Sequence, residues 1–154
     1  MDAKIEQLTP AEQEWIQQQI AVSKAFVEQV TGKLAAELPS PEELDLAFNS
    51  WLHSDTHEPD EANEVVNCVG VAVGQHIINK TGLEWVIASD SYGTELAVYG
   101  LPGKGDILVY PQNLVAKRYE SKTGHFIAEL INKICSDVAG VQKQGPQKKW
   151  WKPW

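Results

Sequence analysis

Three residues near the middle of the chain and one further on carry side chains that could do chemistry together. Asp90, Tyr92 and Glu95 fall within six positions, in the stretch Trp85 to Tyr99. Arg118 is the only arginine in the chain. Two carboxylates can work as general acid and base when their surroundings push their pKa values apart. A guanidinium beside them could hold an anionic ligand. The competing reading is structural. Gly93 suits a left-handed backbone position, and Asp90 can accept hydrogen bonds from backbone amides in a turn. That describes a hairpin loop of three to five residues with a bulge, with Arg118 ion-paired to Asp90 or Glu95. The turn reading explains more of the stretch, and the four residues stand as a candidate binding group with no catalytic residue assigned.

Other reactive side chains are poorly arranged for catalysis. His53 and His57 are four apart beside Asp55, Glu58 and Asp60. On a helix that spacing would aim two imidazoles at one metal, but Pro59 and the polar run point to a solvated acidic loop, so no metal is expected. His76 lies in an apolar helical pattern, as a satisfied core histidine would, and His125 opens the last helix. Cys68 and Cys135 also sit in apolar helical patterns, where a thiol behaves as a small hydrophobe. Gly100 to Gly105, "GLPGKG", lacks the frame and the following helix of a phosphate loop. No serine elbow and no catalytic Cys–His signature occurs. No cofactor is expected.

The elements that must position these residues are legible from periodicity. Thr9-Pro10 starts a first helix, with Trp15, Ile16, Ile20, Val27 and Val30 largely on one side and Gly32 at the exit. Ser40-Pro41-Glu42-Glu43 carries the signature of a capping box, and Leu44, Ala47, Phe48, Trp51 and Leu52 give the buried stripe. A third helix is expected from about Asp60 to Lys80, apolar nearly all round between Val65 and Gly74, hence buried on several sides. Gly70 and Gly74 share a face and admit a close neighbour. The period then changes to two. Strands are expected at Glu84–Ser89, Glu95–Tyr99 and Asp106–Tyr110, joined by glycine-containing turns. Both faces of these strands are apolar, which calls for cover from the N-terminal helices, the tail or another subunit. Leu114 to Tyr119 fits a short helix, with a fourth strand as the alternative. Phe126 to Val138 follows a helical period that Gly140 closes.

The fold class is therefore α+β: helices packed on a small antiparallel meander of three or four strands, with an N-terminal helical extension. The expected organisation is an acidic helical extension at 1–60, an α+β domain at 61–140 and a flexible tail at 141–154. At 154 residues one core can form without staples.

Charge limits the partners. The net charge is −8, and residues 1–64 hold 14 acids against three lysines. Nucleic acid needs a basic footprint, so none is expected as a partner. The last 16 residues reverse the sign, with four lysines and no acid. Trp150, Trp151 and Trp154 make this tail a candidate partner-binding segment, where tryptophan is favoured. Docking on the chain's own acidic half or on a second subunit, and contact with an anionic membrane surface, are the other readings. Residues 1–20 have no basic start and no apolar run, and no stretch reaches the length of a membrane span. A reducing, cytoplasmic setting is expected.

"GLEWVIASDSYGTELAVYG" (82–100) and "ILVYPQNLVAKR" (107–118), preceded by "ANEVVNCVGVAVGQHI" (62–77), resemble a small, mainly bacterial family catalogued as domain of unknown function 3806, over roughly residues 61–138. The carrying pieces are Gly82-Leu83 with Trp85, Asp90 with Tyr92 to Ala97, and Pro111 with Val115 to Arg118. The resemblance implies an α+β domain and no activity. Three functions remain in view: a non-enzymatic protein-interaction module or homo-oligomer, an immunity-type or regulatory antitoxin protein, and a small-ligand binder or enzyme using Asp90, Tyr92, Glu95 and Arg118.

Overall fold

Two capping boxes set where the first long helices begin. Thr9 Oγ1 accepts from Glu12 N–H at 3.2 Å while Glu12 accepts from Thr9 N–H at 2.8 Å. Ser40 and Glu43 repeat the exchange at 3.1 and 2.9 Å. Each satisfies two amides that a helix start leaves unpaired. The computed structural model describes residues 3–55, 58, 60–102 and 106–144. Its elements are β1 (Lys4–Gln7), α1 (Pro10–Thr31), α2 (Pro41–Leu52), α3 (Glu61–Thr81), β2 (Glu84–Asp90), β3 (Gly93–Gly100), β4 (Ile107–Val109), α4 (Pro111–Ser121) and α5 (Ile127–Gln144).

The sheet is antiparallel throughout, in the order β1-β2-β3-β4. The α+β class and the meander of β2 to β4 are as the sequence leads one to expect. The fourth strand comes from the other end of the chain: β1 pairs Lys4 with Ser89 and Gln7 with Val86. Leu114 to Tyr119 is helix, inside α4. Pro111 explains this, since it has no N–H for a ladder yet fits a first helical turn. α5 runs past Gly140 to Gln144 because Val138 and Val141 are buried and hold its last turn down. Trp150, Trp151 and Trp154 lie outside the described residues.

One face of the sheet carries the helices. Trp85, Val98, Ile107 and Val109 belong to the main core with residues of all five helices. α3 is its axis, touching α1, α2, α4, α5 and β3. The other face holds a small cluster of Val86, Ala88 and Ala97, packed by Ala3, Ile5, Tyr99, Leu108 and Tyr110. Its cover among the described residues therefore comes from the sheet's own larger side chains and the β1 segment, rather than from a helix.

Close approach explains the two glycines of α3. A methyl group at Gly70 would lie 2.7 Å from the Cα of Gln112. One at Gly74 would overlap the Trp85 indole and crowd Pro111 at 2.9 Å. The first turn of α4 thus rests directly on the α3 backbone. The start of α5 is held by α2: Asp45 Oδ1 accepts from Ile127 N–H at 2.6 Å and Oδ2 from Ala128 N–H at 3.0 Å.

An aromatic joint ties the remaining ends together. Trp51 meets Phe26 of α1 at 6.3 Å, Phe48 of α2 at 5.9 Å and Tyr119 of α4 at 5.6 Å between ring centroids. His76 donates through Nε2 to the Pro39 carbonyl at 2.7 Å. It anchors the connection between α1 and α2.

Alanine normally favours a helix over glycine by about 1 kcal/mol, but the clash at Gly70 is with backbone, and overpacking costs about 1–3 kcal/mol. Gly70→Ala and Gly74→Ala should therefore both lower the urea midpoint; a rise would mean α4 can shift freely. Asp45→Ala should cost about 1–2 kcal/mol, measured the same way, and an unchanged midpoint would remove Asp45 as the cap of α5. Burial pushes the Cys68 thiol up to about 12, so the fold favours the protonated sulfur. Its stabilisation is intact below the ordinary thiol ionisation near about 8.5 and fades as pH rises from there toward about 12. At pH 8, mass spectrometry should find Cys135 alkylated ahead of Cys68, whose modification waits for the fold to open. Rapid alkylation of Cys68 in native protein would contradict this.

Candidate functional site

The stretch around Asp90 folds as the tip of the β2–β3 hairpin. Asp90 pairs with Gly93 across two residues, Ser91 and Tyr92, a tighter turn than a loop of three to five. Gly93 has φ 139°, a backbone position that costs a residue with a side chain. Asp90 Oδ1 accepts from Tyr92 N–H at 2.8 Å, and the Tyr92 side chain is 95% exposed. Below the tip, Ser89 and Thr94 hydroxyls meet across the strands at 3.0 Å.

Glu95 sits one step further down, at the mouth of a groove of about 300 Å³. The groove runs between β3, the end of β4, the first turns of α4, and α3. Its floor is Val66, Leu96 and Ala116; its polar lining is Asn67, Thr94, Glu95, Tyr110, Gln112 and Asn113. Asn113 Nδ2 donates to Glu95 Oε2 at 3.0 Å, and Gln112 Nε2 donates to Asn67 Oδ1 at 2.7 Å. Burial raises the Tyr110 phenol above its usual range, and the negative charges of Asp90 and Glu95 raise it further. The two carboxylates thus act on one hydroxyl.

Arg118 stands elsewhere. It is five residues beyond Asn113 on α4, about 140° round the helix, and its guanidinium lies 5.3 Å from the centroid of Phe126. That is a cation–π contact on a ring that itself meets Phe48 of the aromatic joint at 5.6 Å. The ion pairs among the described residues are Lys4–Glu6 and Lys24–Glu28, so neither involves Arg118. Glu95 and Tyr110 line one groove, Asp90 closes the hairpin tip, Tyr92 stands in solvent and Arg118 lies against Phe126.

Sequence reasoning missed Tyr110, Asn67, Gln112 and Asn113. Asn67 did leave a signal, as the one polar side chain in the run Val65 to Gly74. The other three depend on where α4 docks, and that depends on the two glycines of α3.

A larger groove of about 620 Å³ opens between α1, α2 and α3. Val22, Phe26, Val30, Trp51, Val65 and the buried Cys68 line it together with the polar Gln29, Ser50, Ser54, Glu61 and Glu64. Trp51 Nε1 donates to Glu61 Oε2 at 3.2 Å. Val22 is 43% exposed, which is high for a valine on a helix that packs into a core.

Among the described residues no group of three or more histidine, cysteine or acidic side chains could hold a metal ion. His53 Nδ1 lies 3.0 Å from the Asn49 carbonyl oxygen, and His57 lies outside the described residues. No described helix is long and apolar enough to cross a membrane.

No curated protein and no solved structure matches the chain. A family model does, over residues 47–128, a span from the middle of α2 to the start of α5. It contains the hairpin, the Glu95 groove and both packing glycines. With more than half of its length matched, the chain belongs to the family described as Domain of unknown function (DUF3806).

Proposed function

We propose that the protein is a non-enzymatic protein-interaction module whose α1–α2–α3 groove takes a basic amphipathic helix of a partner. The observation that carries this reading is the groove itself: a channel of about 620 Å³ between three helices, with apolar side chains from α1 and α3 alternating with Gln29, Ser50 and Ser54, and with Glu61 and Glu64 in its lining. Such a channel suits a helix with apolar residues on one side and lysines flanking them. The 14 acids of residues 1–64 favour encounter with a positively charged segment. Two free thiols support a reducing bacterial cytoplasm as the setting. The small-ligand reading draws less support, because Arg118 is engaged with Phe126 rather than with Glu95.

The immunity-type reading uses the same acidic groove with a basic toxin as its occupant. It requires that the protein restore growth to a host producing a toxin encoded beside it, and failure to rescue would remove it.

The test of the groove is amide NMR on the full chain with a model helix of leucine and lysine, about 18 residues long. Resonances of Val22, Phe26 and Ser54 should shift together, and Val22→Glu should weaken binding at least about tenfold. Equal binding by Val22→Glu, or shifts spread evenly over acidic surface, would overturn the proposal. So would binding that appears only after residues 145–154 are removed, since the chain's own tail would then be the occupant.

A further inference from the structure

The edge of the sheet beside Glu95 has a gap the length of a short strand. The pair Asp90–Gly93 encloses a two-residue turn, so it must exchange both of its hydrogen bonds directly. Alternation then turns the N–H and C=O groups of Glu95 and Ala97 toward β2. Those of Thr94, Leu96 and Val98 point the other way. β4 meets that side only at Val98, Tyr99 and Gly100, because Pro111 takes the chain into α4. Among the described residues no strand continues against Thr94 and Leu96, and both residues line the 300 Å³ groove.

The walls of this gap have a definite chemistry. Residues on one face of a strand alternate with those on the other. Leu96 faces the helices, with Val66 and Ala116 beside it in the groove. Glu95 shares the outer side with Ala97 and Tyr99, and its charge acts on the Tyr110 phenol. The amide donors are partly spent within the groove: Asn113 gives to Glu95 and Gln112 to Asn67. Among the described residues the second carboxylate oxygen of Glu95 has no such donor and stays open as an acceptor in the groove that Tyr110 also lines. The nearest cation on α4 is Lys117, exposed and outside the lining.

We infer that this gap binds an extended segment of a partner protein as an added strand, paired to the backbone of Thr94 and Leu96, with apolar residues turned to Leu96 and basic residues turned to Glu95. The occupant follows from complementarity. Unpaired strand edges accept strands, the inner wall is apolar, and the outer wall is acidic. The exposed bond between Asn113 and Glu95 must open as the strand enters. This surface is separate from the α1–α2–α3 groove and does not depend on that reading.

The test is hydrogen exchange by NMR on the full chain, with a capped peptide of alternating valine and lysine, about six residues long. At saturating peptide the amides of Thr94 and Leu96 should exchange at least about tenfold more slowly. Those of Glu95 and Ala97, already paired to β2, should be unchanged, and so should those of Val22 and Phe26. The same peptide methylated at its backbone nitrogens should protect neither amide. Thr94→Pro removes one outward N–H at an edge position that tolerates proline, and should abolish binding while the thermal transition persists. Unaltered exchange at Thr94 and Leu96, or equal protection by the methylated peptide, would overturn the inference. The wild-type comparison decides the matter even if Thr94→Pro does not fold.

Discussion

The contact between α3 and the first turn of α4 is the constraint on which the rest depends. Two missing side chains, at Gly70 and Gly74, let Gln112, Pro111 and Trp85 reach the helix backbone. Trp85 Nε1 then donates to Gln75 Oε1 at 3.1 Å, fixing β2 against the same helix. This contact sets the distance from α3 to the sheet. It decides where β4 must stop, because Pro111 can rest on α3 only if the chain has left the sheet. The gap beside Thr94 and Leu96 follows from that stop. One packing requirement inside the core thus shapes an opening at the surface.

Electrostatics in the molecule is mostly a matter of fields at surfaces. The described ion pairs are few, and exposed pairs of this kind contribute little to stability. Glu28 is the instructive exception in detail. Its carboxyl is held below the usual range first by the Ala35 N–H it accepts and then by Lys24. Glu12, Glu43, Asp45 and Glu61 also accept hydrogen bonds that start or tie helices, while the summed charge of the N-terminal half acts on what approaches.

Much of the fold could be read from the chain, for identifiable reasons. The capping boxes at Thr9 and Ser40 are local signals, so the starts of α1 and α2 fall where expected. The period-two runs at Glu84 and Glu95 predict β2 and β3. The signals failed where the cause is distant. β1 has a single apolar residue between Lys4 and Glu6, and only pairing with Val86 to Ser89 makes it a strand. The end of α5 depends on Val141 finding the core, which overrides Gly140. The candidate site divides the same way. Asp90 and Glu95 stand in a local motif, whereas Tyr110 joins them through the path of the chain after β4. Arg118 could be listed as chemically capable, but its orientation on α4 is a matter of helical phase and of Phe126.

The pairing of Lys4 with Ser89 has a kinetic side. It closes a loop that contains α1, α2 and α3, while the β2–β3 hairpin closes over two residues. Closing a long loop costs entropy that only prior compaction offsets, so β1 belongs to the last elements to settle and the first to leave. Ile5 travels with it, and Ile5 is part of the seal over Val86, Ala88 and Ala97. The outer face of the sheet is therefore governed by a latch of four residues. Its exposure rises and falls with a local opening that leaves the helical core closed.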